Sequence, residues 1–316
     1  MRRRSLLRTL AMAAPAAALT GGAASAAAAD EGHGHGEPLA PVTTTEADWQ
    51  PVAELLGRTG TLSGGTVYRA AFPRRDLSLT SYGVRIEPGL SLGSYAAFAR
   101  YPDGRAMVMG DLVVLETELQ QVTDALHAND LDQSAIHKHL LAHDPAVWWT
   151  HFHAVGDAEE IAEGFRATLD ATATPPPAPT SPAPAVDLDT AGIDAAFDTA
   201  GRNDGGIYKF SFARDERITL HARVAPPAMG VTTAIGFQPV GGGRAAINGD
   251  FAMTAHEVQD VITALRAGGI QVVELHNHGL DDDPRLFYLH FWAVADGVEL
   301  ARTLAAAVAA TRVHPA

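Results

Sequence analysis

The 316-residue chain contains no cysteine. That excludes a disulfide framework, a thiolate metal site and a cysteine nucleophile, so any metal must be held by histidine, aspartate or glutamate. Positive charge is also scarce, with 23 lysines and arginines against 37 acids. Four of those bases, Arg2, Arg3, Arg4 and Arg8, fall in the first 29 residues, which hold no acid. Without that segment the formal charge moves from −14 to about −18, a balance that repels phosphate backbones and argues against nucleic acid as a partner. After residue 29 no run is long and apolar enough to span a bilayer, so no membrane span is expected. No Gly-x-Ser-x-Gly elbow, P-loop or dinucleotide fingerprint occurs. Apolar residues, at 47%, suffice for one large or two medium cores.

Residues 1–29 read as a removable signal. Arg3-Arg4-Ser5-Leu6-Leu7-Arg8 precedes the Ala-rich apolar run Thr9 to Leu19, and Ala27-Ala28-Ala29 supplies a small-x-small cleavage site. The paired arginines resemble a twin-arginine export signal, which carries proteins already folded. The expected location is therefore secreted, extracellular or cell-envelope. Residues 30–48, with His33-Gly34-His35, read as a flexible tail.

The mature chain reads as one domain written twice. Met109-Gly110-Asp111 falls on Asn248-Gly249-Asp250, Phe98 on Phe237, Glu118 on Glu257 and Pro145 on Pro284, all at an offset of 139. Gly64-Gly65-Thr66-Val67-Tyr68 matches Gly205-Gly206-Ile207-Tyr208 with a small slip. The copies are placed at 49–170 and 187–313, joined by the Pro/Ala-rich stretch 171–186, which is extended and able to reach roughly 40 Å at about 3.1 Å per residue.

Each copy opens with short β-rich runs, in the first at 67–72, 77–86, 94–100 and 106–114. A helix follows. In the second copy it opens at Thr254-Ala255-His256-Glu257, where the Thr and the Glu three residues on can cap each other's free amides. Val258, Val261, Ile262 and Leu265 then recur at helical spacing before Gly268-Gly269, and Leu115, Leu119, Val122 and Leu126 do the same in the first copy. Two more strands and an Ala-rich helix close each unit. The expected fold class is α+β, a tandem duplication in which each copy is a mostly antiparallel sheet or partial barrel with two helices.

The chemistry lies in the histidines. His137-Lys138-His139 is followed by His151-Phe152-His153, and His276-Asn277-His278 by His290-Phe291-Trp292, at identical spacings. Alternation along a strand puts both histidines of each His-x-His pair on one face. If the following hairpin is centred near Pro284, His290 lies opposite His278, and in the first copy His151 lies opposite His139 and His153 opposite His137. A one-residue slip would break that pairing. Three imidazoles from two strands suit zinc or another borderline divalent metal with one position open. The expected ligands are His276, His278 and His290, and His137, His139 and His151. The same histidines could instead hydrogen-bond in a polar groove.

Other residues carry less. Glu118 and Glu257 could serve as general bases for a metal-bound water, although Glu257 already has a capping role. Asp111 and Asp250 read as turn residues, with a second role as acceptors that orient a ligand imidazole as the alternative. His33-Gly34-His35 could take copper or nickel but reads as solvated tail. His127, His221 and His314 have no matched partner, His143 falls in the hairpin loop and His256 in a helix's first turn. Asp281-Asp282-Asp283 reads as solvated loop.

Gly-Gly-Ile-Tyr, Gly-Asp, Leu-His-Asn-His and Pro-Arg-Leu-Phe-Tyr-Leu-His-Phe-Trp together resemble the LppY/LpqO family, bacterial proteins of undefined activity with two such repeats. The resemblance runs from about Trp49 to the last helix and implies a cell-envelope setting. Its pattern is intact at His276, Asn277, His278, Pro284, Arg285 and His290. The first copy keeps His137, His139, Pro145 and His151 but has Lys138 and Ala146 in place of Asn and Arg, which makes the second copy the stronger site. The lipid-bearing cysteine of the family's lipoproteins is absent. A fainter similarity, at the level of fold, is to the acetolactate decarboxylase and plant-prokaryote conserved domain superfamily, whose Gly-Gly-His is missing here. It points to zinc without a substrate. Two functions follow. One is a secreted zinc-dependent hydrolase or lyase; the other is a non-catalytic envelope protein that binds a small molecule or wall component or holds a metal. An open pocket lined by Trp149 or Tyr288 would favour the first, and a closed core the second.

Overall fold

The computed structural model describes residues 36–179 and 182–316. The signal over 1–29 and His33-Gly34-His35 lie outside the described residues.

In the first copy a 3-10 turn, Glu46–Trp49, leads into α1 (Gln50–Leu56). Then come β1 (Thr61–Ser63), β2 (Val67–Pro73), β3 (Gly93–Arg100), β4 (Ala106–Leu115), α2 (Leu119–Ala128), β5 (Asp132–His137), β6 (Val147–Gly156) and α3 (Ala158–Asp170). The second copy repeats the series as α4 (Thr190–Phe197), β7 (Arg202–Asp204), β8 (Ile207–Arg214), β9 (Thr232–Pro239), β10 (Arg244–Thr254), α5 (Val258–Ala267), β11 (Gln271–His276), β12 (Leu286–Asp296) and α6 (Gly297–Val308), with a final strand β13 (Val313–Pro315). The fold is α+β and duplicated, and each copy adds a short leading helix to the two expected. Among the described residues no helix is long and apolar enough to cross a membrane.

Both sheets are antiparallel and have the same order. The first runs β1-β2-β3-β4-β6-β5, the second β7-β8-β9-β10-β12-β11, with β13 beside β8. Neither closes into a barrel. The paired glycines Gly64-Gly65 and Gly205-Gly206, all at positive φ, make the tight turns into β2 and β8.

β4 is buried along almost its whole length, on both faces, which explains why its sequence does not alternate apolar with polar. One face, with Val108, Leu112 and Val114, packs with Phe152, Phe165 and Val122 beneath the helices of its own copy. The other meets the second copy: Met107 and Met109 cluster with Leu220, Met229 and Tyr288, and Val113 and Trp149 with Ala246 and Trp292. The second copy has its own helix-side core around Phe237, Phe251 and Phe291. The layers are therefore helices, sheet, sheet, helices.

Several expectations change. The chain from Leu39 onward is not a loose tail: Leu39 pairs with the Arg223 segment and Val42 donates to Arg100 O at 2.8 Å. The helix expected from Thr254 starts at Val258, and Leu115 belongs to β4 rather than to a helix. Of the run 77–86 only Thr80–Ser81 and Val84–Arg85 are strand, paired as a tight hairpin. Register also differs. His151 lies opposite Ala135 and His290 opposite Glu274, not opposite His139 and His278. The displacement is four residues, an even number, so these histidines keep their face; His153 lies opposite Asp132 rather than His137, five residues away, the extra residue being taken up by the bulge at Gln133/Ala135.

Candidate metal centre

Six histidines and two aspartates meet between the sheets. His151 and His290 come from the middle of β6 and β12, Asp111 and Asp250 stand beside them on β4 and β10, and His137 and His276 end β5 and β11. A bulge in the same place in each copy, at Gln133/Ala135 and Val272/Glu274, adjusts the two edge strands just before the site. His139 and His278 lie past the strand ends and are positioned across the interface. Asn248 Nδ2 donates to His139 O at 2.7 Å, and Ser134 Oγ donates to His278 O.

The rings interleave between copies. His137 stacks on His276 at 4.0 Å between centroids, His139 meets His290 at 3.8 Å, and His151 meets His278 at 3.7 Å. Ligand atoms within 4.8 Å of one another group as His137, His151 and His276, as His137, His139 and His290, and as Asp250, His276 and His278. Two of these groups mix residues of both copies and the third lies within the second copy, so the six histidines adjoin one another rather than standing as two separate triads. No local sequence pattern states how two sheets face each other, so the spacing alone could not reveal this.

Hydrogen bonding fixes several tautomers. His151 Nδ1 is 3.2 Å from Gly110 O, His290 Nδ1 is 2.8 Å from Gly249 O, and His278 Nδ1 is 3.2 Å from Gly230 O. A carbonyl only accepts, so in each ring Nδ1 carries the proton and Nε2 presents a lone pair. Those three Nε2 atoms are buried and have no hydrogen-bond partner. This is how metal-ligating imidazoles are oriented. Gly110 and Gly249 lie close against neighbouring groups: a Cβ at Gly110 would stand 2.4 Å from Tyr95 O, and one at Gly249 would stand 2.1 Å from Ala234 O. That accounts for glycine before the aspartate in both copies.

Asp111 and Asp250 are mid-strand residues that face the centre, not turn residues as the sequence suggested. Asp250 Oδ2 lies 3.1 Å from His278 Nε2, and Asp111 Oδ2 lies 3.4 Å from His139 Nε2. With His278 protonated on Nδ1, its Nε2 and the ionised carboxylate are two acceptors facing each other, an arrangement that a cation or a shared proton relieves. Burial raises Asp111 well above the usual carboxylate range, helped by the charge of Asp250, and raises Asp250 to about 6. Burial lowers all six imidazoles, taking His278 to about 3 against the opposing hydrogen bond to Gly230, and burial with added repulsion from neighbouring imidazoles holds His137, His139 and His151 well below the usual range and lowers His276 and His290 as well. The rings are therefore neutral at pH 7 and available as donors to a metal.

The donor set fits a borderline divalent ion: imidazole and carboxylate, with no thiolate. His137 Nδ1, both nitrogens of His276, Nε2 of His151, His278 and His290, and one oxygen each of Asp111 and Asp250 are buried without partners. At about 1–3 kcal/mol each, such atoms approach the stability of a whole domain. Metal binding, at roughly 10–16 kcal/mol for structural zinc, is on that scale.

Trp149 and Tyr288 do not line an open pocket. Each is 1% exposed, and each stacks on a histidine, Trp149 on His139 at 4.6 Å and Tyr288 on His278 at 3.3 Å. Glu118 and Glu257 are engaged elsewhere. Glu118 bonds the buried Arg74 guanidinium and the amides of Leu115 and Ala173. Glu257 bonds Arg214 and the amides of Thr254 and Arg312. No contact joins either to the histidines. The arginines recur in the sequence as Arg74-x-Asp76 and Arg214-x-Glu216, each making a second ion pair with the acid two residues on, a repeat that marks the partners of both glutamates. His143 bonds Pro145 O and His314 pairs with Asp215, both apart from the centre.

A duplicated α+β protein with a histidine-rich centre shared between its copies is the class these features define. The chain belongs to the family described as Domain of Unknown Function (DUF1259), whose model matches residues 50–171 and again 191–310. No curated protein matches it. Among solved structures it has a partial likeness to a double ringed trimeric shell protein from the RMM microcompartment. That match has 12% identity and a TM-score of 0.19, over 66% of this chain and 83% of that one. The trimeric bacterial microcompartment shell protein PduB matches at 12% identity and a TM-score of 0.20, over 79% of this chain and 89% of that one. Likeness at these scores carries no inference.

Proposed function

We propose that the chain is an exported metal-holding protein of the LppY/LpqO type, with zinc as the ion, bound jointly by the two copies. The observation that carries this reading is the set of three buried imidazoles, His151, His278 and His290, each with Nδ1 tied to a backbone carbonyl and Nε2 turned away from it, without a hydrogen bond in His151 and His290 and 3.1 Å from the Asp250 carboxylate in His278. His137, His139, His276, Asp111 and Asp250 complete the donor set. The bound ion would supply fixed positive charge that cross-links the two sheets. The protein's own part is to keep the imidazoles neutral, hold their orientation and exclude water with Trp149 and Tyr288. That enclosure favours holding the metal over turning over a substrate. Export before Asp30 by a twin-arginine signal fits a protein that loads its metal while folding in the cytoplasm.

The test is elemental analysis of untagged protein purified without chelator. The expected result is at least one equivalent of zinc per chain; less than a trace of any transition metal refutes the reading. A second reading, a zinc-dependent hydrolase or lyase, is favoured by one observation: side chains of His139 and Asp250 keep 17% and 15% of their surface exposed. Asp250, raised to about 6 by burial, would then act as the base at that rim. Turnover of ester or lactone substrates by the zinc-loaded protein, abolished in Asp250→Asn, would establish it.

A further inference from the structure

The two copies differ on the faces they turn toward each other. Residues directly opposite in an antiparallel pair share a face, so each sheet carries a cross-strand row that ends at a histidine of the centre. In the first copy the row is Ala71, Tyr95, Asp111 and His151. In the second it is Ser211, Ala234, Asp250 and His290. The rows are counterparts and differ in one large side chain: tyrosine stands beside the aspartate in the first copy, alanine in the second.

Tyr95 is packed into place. The Arg69 guanidinium lies over its ring, 3.3 Å from the centroid, and Arg69 Nη1 donates to Ala228 O at 3.2 Å. Its hydroxyl reaches Gly230, where a Cβ would stand 2.4 Å from Tyr95 Oη, and Gly230 O is the carbonyl that orients His278. Neither half of this plug recurs in the second copy. Ala234 and its neighbour Ser211 are exposed, and Lys209, the counterpart of Arg69, is drawn aside to Asp204 at 2.8 Å. The donors register the difference. Asp250 and His139 keep 15% and 17% of their side-chain surface, whereas their counterparts Asp111 and His278 keep 6% and 5%. The two more exposed donors lie on one side of the centre, since His139 meets His290 at 3.8 Å and His290 is the strand partner of Asp250.

We propose that the centre opens to solvent at a mouth formed by Ala234, Asp250 and His139, that Tyr95 seals the equivalent opening of the first copy, and that a divalent cation enters and leaves through this mouth. The identity of what passes rests on the metal-holding reading above; the opening itself does not. The rim suits a cation in transit. Asp250 offers a carboxylate and His139 an imidazole, donors that can replace water on a borderline divalent ion before the buried nitrogens take it. The chain's net negative charge raises the local concentration of cations.

The test grafts the plug onto the open side. Ala234→Tyr places the first copy's residue at an exposed strand position, where tyrosine is well accepted, and alters no donor. Two rates are measured on the mature protein. In the metal-free form, diethyl pyrocarbonate should modify His139 roughly tenfold or more slowly in the variant than in the wild type, with the exposed His314 as the reference that does not change. In the zinc-loaded form, release to a chromogenic chelator should slow by roughly tenfold at equal zinc content. If the variant keeps the wild-type Tm and both rates are unchanged, the mouth does not exist. Shielding of His139 with an unchanged release rate would show that the ion leaves by opening of the fold, and would overturn the route. If neither protein holds zinc while the substitution still shields His139, the metal-holding reading fails, the cation route falls with it, and the mouth stands.

Discussion

Replacing His137 with leucine separates a shared centre from two independent ones. His137 is fully buried and belongs to two of the three ligand groups, each of which includes a residue of the other copy. Leucine has nearly the same volume, so the substitution removes two ring nitrogens with little change in packing. One of them, Nδ1, is a buried atom without a partner, and the other, Nε2, makes a 3.0 Å hydrogen bond to His139 Nε2 whose loss, about 0.5–1.5 kcal/mol, offsets only part of the gain from removing Nδ1. The metal-free variant should therefore be no less stable than metal-free wild type and up to about 1–3 kcal/mol more stable, a rise of roughly 2–8 °C in Tm for a chain this size. The metal-loaded comparison has the opposite sign. If about 10–16 kcal/mol of structural zinc binding is spread over four ligands, losing one weakens affinity by on the order of 100-fold or more. At a free zinc concentration about 100 times the wild-type Kd, the wild type gains about 2.7 kcal/mol from binding, and the variant loses most of it. The assay is thermal unfolding of both proteins with zinc and with chelator, alongside elemental analysis. Two independent triads would leave the second copy's metal, half the content, in place. Full metal content with an unchanged chelator-sensitive shift would refute the composite centre. A metal-free variant several kcal/mol less stable than wild type would show instead that His137 is a well-satisfied core group.

Other outcomes follow from the same geometry. Lowering the pH should destabilise the metal-free protein from about 6.5 downward, because unfolded imidazoles take up protons there that the buried rings, with pKa values below the unfolded 6.5, cannot. Asp250, raised to about 6, works in the opposite sense between pH 6 and 3.8, but the imidazoles outnumber the carboxylates. The urea midpoint should therefore fall steeply between pH 6.5 and 5; a flat profile would contradict the burial of neutral rings. Glu257→Gln should destabilise by about 3–5 kcal/mol, since it leaves the Arg214 guanidinium buried without its main charge partner. Its zinc content in the folded fraction should match wild type, and lost zinc with wild-type stability would return Glu257 to the site. Gly249→Ala should be more damaging than an ordinary strand substitution, because its Cβ would stand 2.1 Å from Ala234 O and shift the carbonyl that orients His290. A midpoint loss under about 1 kcal/mol, together with unchanged zinc binding, would mean the strands there have room to move.

The sequence by itself determined the duplication, the α+β class and the face each histidine occupies. These are properties of local chain geometry: a period of two sets the face, and an even register displacement cannot change it. With no cysteine in the chain, imidazole and carboxylate were the metal donors left. The tertiary structure decided which of these residues come together. A central strand such as β4, apolar on both faces, signals that both faces are covered but not by what. Only the packing of one sheet on the other puts His137 on His276 and His221 on His153. It also turned Asp111 and Asp250 from turn residues into partners of the imidazoles, and drew Glu118 and Glu257 into arginine pairs. Those assignments depend on contacts between residues 28 or more positions apart, and along the chain such pairs leave no periodic trace.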